Sequence, residues 1–97
     1  MKSVPGQVAI RFAIDGPISV NDLPGLCRRV CALLEQTDAA LAYCDVRRVK
    51  ADAVTVDALA RLQLAAHRRA CHVRLRGASD DLRELVAFMG LEDVLPD

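Results

Sequence analysis

The chain has 97 residues, 53% hydrophobic and only 3% aromatic, with 13 basic and 13 acidic side chains and a formal net charge of zero. That length suits one domain around one aliphatic core and is too short for two. The balanced charge argues against nucleic acid as the main partner, and no run approaches the ~18 apolar residues of a membrane span.

In chain order, Gln7 to Ile14 (QVAIRFAI) alternates Val8, Ile10, Phe12 and Ile14 with other types, which predicts a strand with one buried face. Asp15-Gly16-Pro17 reads as a turn, and Ile18 to Val20 as a short extended piece. Asn21 suits an N-cap and Pro24 a first helical turn, where its missing N–H costs nothing. Leu23, Leu26, Cys27, Val30, Leu33 and Leu34 then recur at helical spacing, so the helix is expected to end near Gln36. Ala40 to Val46 (ALAYCDV) is short and mostly apolar, the pattern of a strand buried on both faces.

After an expected loop over Arg47 to Asp52, Thr55 to Ala70 predicts a second helix, with Val56, Leu59, Ala60, Leu62, Ala66 and His67 on or near its inner face. Thr55 stands before the apolar-periodic run and reads as its N-cap, with Asp57 in the first turn. Cys71 to Leu75 predicts a third strand. Ser79 is a cap for a last helix, where Asp80, Asp81 and Glu84 load the N-terminal turn, and Gly90 suits the left-handed C-terminal cap. Leu91 to Pro96 is a further edge-strand candidate. Strands alternating with helices predict a small α/β layer with parallel strands and helical crossovers.

The zero net charge hides an asymmetry. Residues 47–76 carry Arg47, Arg48, Lys50, Arg61, Arg68, Arg69, Arg74 and Arg76 against only Asp52 and Asp57, whereas residues 77–97 carry six acids and one base, Arg83. Such a basic stretch is either a set of solvated faces or a surface that steers an acidic protein partner. Met1 to Gly6 lacks the apolar core of a signal peptide, so a cytoplasmic location with reduced cysteines is expected, and no direct membrane insertion.

Chemistry-bearing groups are sparse. Cys27 and Cys31 lie four apart on the first helix, and His67 and Cys71 four apart at the end of the second, but this is not the spacing of a zinc motif. The cysteines, Cys44 included, read instead as small thiols packed in an aliphatic core. His67 with Asp45 or Asp57 has no nucleophile placed beside it, and the five glycines are isolated rather than clustered in a phosphate loop. No enzyme, metal or cofactor is expected.

Taken together, "CDVRRV…DAVTVDALARLQLAAHRRACHVRLRGASDDLRELVAFMGLEDVL" resembles the STAS domain, the fold of bacterial anti-anti-sigma factors, from about Val8 to Leu95. The resemblance rests on a strand ending at Asp45, an Asp52-led loop entering a helix, a strand at Val73 to Arg76, and a final "ELVAFMGLEDVL" similar to the family's usual ending. It implies an α/β fold with a small sheet of about four to five strands and about three to four helices. In the family's regulatory members the loop reads Asp-Ser-Ser/Thr-Gly-Leu, and a Ser or Thr there is phosphorylated by an anti-sigma kinase. Here it reads Asp52-Ala53-Val54-Thr55-Val56, so the hydroxyl positions hold Ala53 and Val54, and Thr55 is at most a displaced acceptor. The resemblance implies a non-catalytic antagonist that binds an anti-sigma factor or kinase-like regulator through Asp52, Ala53, Val54, Thr55, Val56, Asp57 and Arg61, with Arg68 and the loop at Gly16 beside them. Alternatively, it implies a STAS subunit docking on the ATPase of a lipid-transport ABC system.

Overall fold

The structure is a computed structural model that describes residues 9–16, 18, 20–37 and 39–96. Its elements run β1 (Ala9–Gly16), a 3-10 turn (Val20–Asp22), α1 (Leu23–Thr37), β2 (Leu41–Val49), α2 (Ala53–His67), β3 (His72–Arg76) and α3 (Asp80–Phe88). The three strands form one parallel sheet in the order β1-β2-β3.

The α/β class and the helical crossovers are as expected, but among the described residues the sheet has three strands rather than the expected four to five. Gln7 and Val8 lie outside the described residues. Ile18 packs its side chain into the core, and the chain then enters a 3-10 turn that runs directly into α1, so Asn21 is inside that turn rather than a cap. At the other end, the N–H groups of Val94 and Leu95 both bond back to the Leu91 carbonyl, so local turns replace an edge strand. One ladder-like bond survives there, from Leu75 N–H to the Pro96 carbonyl at 3.0 Å.

β1 and β2 are longer than the turn and loop residues at Asp15-Gly16 and Arg47 suggest. Pairing shifts between Ala13↔Asp45 and Asp15↔Arg48, so β2 holds one extra residue, a bulge, and the ladder then continues to Gly16↔Val49. Asp45 stabilises the bulge by accepting the Arg47 N–H at 3.0 Å. Gly77 follows β3 with φ +72°, and a Cβ built there would meet Arg47 Cγ at 2.1 Å.

One face of the sheet is apolar: Ile10, Phe12 and Ile14 on β1, Ala42, Cys44 and Val46 on β2, Val73 and Leu75 on β3. Leu23, Val30 and Leu34 of α1, Leu59 and Leu62 of α2, and Leu82 and Val86 of α3 join the same core. The opposite sheet face carries Arg11, Tyr43, Arg74 and Arg76 and is not part of that core. The α3 caps are those expected: Ser79 Oγ accepts from Leu82 N–H at 3.1 Å, and Gly90 ends the helix at φ +74°.

Candidate functional site

The loop between β2 and α2 lies at the carboxyl end of the parallel strands, the end where α/β sheets place their functional loops. The register Gly16↔Val49 brings the end of β1 beside it. Asp52 closes the loop in an extended conformation, and its Oδ1 accepts the Thr55 N–H at 2.8 Å while its carbonyl accepts the Val56 N–H at 3.1 Å. Asp52 is therefore the N-cap and α2 begins at Ala53, which corrects the expected cap at Thr55. The hydrogen bond from the Thr55 N–H holds the Asp52 carboxyl below the usual carboxylate range, and the Lys50 charge acts in the same direction.

Thr55 occupies the third helical position and is fully buried. Its hydroxyl lies near the Asp52 carboxylate, close enough to favour the ionised form, but it makes no hydrogen bond of good geometry. As folded, that oxygen is not presented to a modifying enzyme. Val56 is likewise fully buried, and Val54 is half-buried against the core.

The expected contact residues thus divide between two sides of α2. Thr55 and Val56 face inward with Leu59, Leu62 and Ala66. Ala53, Asp57, Arg61, Leu64 and Arg68 recur at intervals of three and four, which places them on one outward face. Asp57 and Arg61 form an ion pair at 2.9 Å, an exposed pair of the kind that contributes ~0.3–0.5 kcal/mol. Leu64 is 57% exposed. It borders a groove of ≈ 450 Å³ between α1 and α2, floored by Cys27, Cys31 and Ala65 and rimmed by Arg28, Arg61 and Arg68. Leu64 was not among the expected site residues. Its signal is the same outward spacing that Ala53, Asp57 and Arg61 share.

Asp45, His67 and Arg69 each have another partner, and the cysteines are free thiols. Asp45 is held by Arg47, whose Nη2 reaches Oδ2 at 2.7 Å, and hydrogen bonding from Arg47 keeps the Asp45 carboxyl low. His67 is exposed and meets His72, Nε2 to Nδ1 at 3.2 Å, rather than Cys71. Arg69 pairs with Glu35 and ties the end of α2 to α1. Cys44 and Cys71 are buried, and burial beside Asp45 pushes the Cys44 thiol up to about 12. Cys27 and Cys31 are only half-buried, and burial raises the Cys27 thiol. Among the described residues, no three His, Cys, Asp or Glu side chains are grouped as metal ligands, and no helix is long and apolar enough to cross a membrane.

No family model matches the chain, and no curated protein matches it. Among solved structures it is similar to the STAS domain of a SulP transporter from Vibrio cholerae, with a TM-score of 0.71 and 18% identity over 96% of this chain and 71% of that one. The likeness is one of fold.

Proposed function

We propose that this STAS-fold chain is a non-catalytic protein-interaction domain that acts as an anti-sigma factor antagonist, docking through the Asp52 corner and the outer face of α2. Leu64 carries the reading: a leucine more than half exposed, on a helix whose other leucines are buried and whose valines are buried or half-buried, beside a groove with an arginine rim. Exposed apolar surface ringed by polar groups is the ordinary make-up of a docking patch. The partner is an anti-sigma factor or kinase-like regulator with an acidic rim that faces Arg61 and Arg68.

The binding is constitutive. Phosphorylation breaks such an interface by adding negative charge, but Ala53 and Val54 offer no hydroxyl and that of Thr55 is buried. The same lack of a presented hydroxyl supports a second reading, docking on the ATPase of a lipid-transport ABC system, because a permanent subunit needs no switch.

Affinity capture from the native cell, with Leu64→Glu as a surface variant and mass spectrometry of the captured proteins, separates these readings. An anti-sigma factor captured by the natural chain and lost with Leu64→Glu supports the first. An ABC ATPase captured and lost in the same way moves the chain to transport. Phosphate on Thr55 in the captured chain overturns constitutive binding.

A further inference from the structure

A second surface, which none of the described residues covers, lies on the side of the sheet away from the helices. Purely parallel sheets almost always have both faces covered, and among the described residues this one has helices on one face alone. In register across its open face, Arg11, Tyr43 and Arg74 form one row and Ala13, Asp45 and Arg76 the next. The Arg76 guanidinium stands 4.4 Å from the Tyr43 ring centroid and that of Arg11 stands 5.9 Å from it, both within cation–π range. Asp45 is neutralised by Arg47, whereas Arg11, Arg74 and Arg76 pair with no carboxylate among the described residues. Tyr43, Arg11, Arg76 and Gly77 border a shallow concavity of ≈ 680 Å³.

The complement of this surface is on the same chain. On α3, Asp81, Glu84 and Phe88 are spaced three and four apart and so share one face, opposite the buried Leu82 and Val86. Phe88 is 88% exposed, and Glu92 and Asp93 are exposed just beyond it. None of these acids pairs with a base among the described residues. An acidic helix face ending in an unpacked phenylalanine matches an open sheet with arginines around a tyrosine.

We propose that the chain associates with itself head to tail: the outer face of α3 in one copy lies on the open sheet face of the next. Phe88 enters the concavity beside Tyr43, and Asp81 and Glu84 face Arg11, Arg74 and Arg76. A two-fold contact of the open face with itself sets arginines against arginines, so the contact joins two different surfaces and extends a chain of copies. The contact does not use the α2 face, so it stands or falls apart from the antagonist reading. Its charge pairs are exposed, so it weakens with salt.

Sedimentation velocity over a concentration series, at low and high salt, tests it. The face variant is Arg74→Glu with Arg76→Glu, and the tip variant is Phe88→Asp. All three side chains are exposed, and circular dichroism checks the fold. The natural chain is expected to self-associate and to lose association with added salt, and each variant to raise the dissociation constant by about tenfold or more. Mixing the two variants is the sharpest arm: one retains an intact tip and the other an intact face, so the mixture forms dimers that grow no further. A natural chain that is monomeric throughout, association unchanged in either variant, or no dimer in the mixture each overturns the proposal. A monomeric natural chain whose open face binds an acidic, phenylalanine-bearing helical peptide also overturns it, and assigns the face to a foreign helix.

Discussion

The side-chain amide of Gln63 pairs with both backbone polar groups of Val73, its Nε2 donating to the carbonyl and its Oε1 accepting from the N–H, each at 2.7 Å. The second Nε2 hydrogen reaches the Val94 carbonyl, also at 2.7 Å. One buried helix residue therefore does what a further strand does at the outer edge of β3, and the Leu75–Pro96 bond continues it. Gln63→Leu keeps the volume but leaves an N–H and two carbonyls unpaired. We expect a loss of about 3 kcal/mol or more in urea unfolding, since each buried orphan costs ~1–3 kcal/mol. Native-state hydrogen exchange at the Val73 amide checks the mechanism: it speeds up if Gln63 protects that group and is unchanged if it does not.

Ala70 and Gly90 occupy the same position at the ends of two helices. In each case the next residue's N–H bonds back five residues (Cys71 to Ala66, Leu91 to Val86) and the left-handed residue's own N–H bonds back three. Gly90 suits this conformation, whereas Ala70 adopts it at φ 56° at a cost. Ala70→Gly is expected to stabilise by ~0.5–1 kcal/mol and Gly90→Ala to destabilise by ~1 kcal/mol, read from denaturant midpoints. Equal effects of like sign contradict the shared geometry.

Asp52 makes stability fall in acid. Its carboxyl is held below the usual range when folded, so the unfolded chain binds the proton more readily, and the stability present at neutral pH is lost as pH falls through the carboxylate range. Asp52→Ala removes the cap and is expected to cost ~1 kcal/mol at neutral pH. Asp52→Asn retains an acceptor oxygen without the titration, so its acid loss is shallower than that of the natural chain. Urea melts from neutral to acid pH that fall in parallel for both proteins refute the assignment.

The Thr55 hydroxyl is buried without a hydrogen bond, so an isosteric methyl relieves a desolvation cost. Thr55→Val also removes the hydroxyl that favours the Asp52 carboxylate, so it is expected to change stability by no more than ~1 kcal/mol, while Thr55→Glu places a carboxylate in the core and unfolds the chain or lowers its melting temperature sharply. A Thr55→Glu protein as stable as the natural one refutes the burial and reopens the residue as a phosphate acceptor.

The local signals were legible where one residue decides. Ser79 and Gly90 cap α3 as their chemistry demands, and the apolar spacing of α1 and α2 finds most of their inner faces, while Leu33 and His67, expected there, are exposed. Thr55 misleads because cap and capped residue stand three apart: both Asp52 and Thr55 have capping side chains, and only the folded backbone shows which one accepts. Gln63 was readable in principle, being four residues after Leu59 and three before Ala66 and so on the inner face. The row of Arg11, Tyr43 and Arg74 was not, because which residues of separate parallel strands stand side by side is set by the strand register, which no periodicity within one strand announces.

Gly77 shows how exposure and replaceability part company. It stands at the surface, yet its φ excludes most side chains and the Arg47 stem occupies the space where a Cβ would lie. Any larger residue there displaces the arginine that neutralises Asp45. A saturation scan of the chain is therefore expected to find a surface position less tolerant than its exposed neighbours, linking a turn after β3 to the charge pattern of a neighbouring strand.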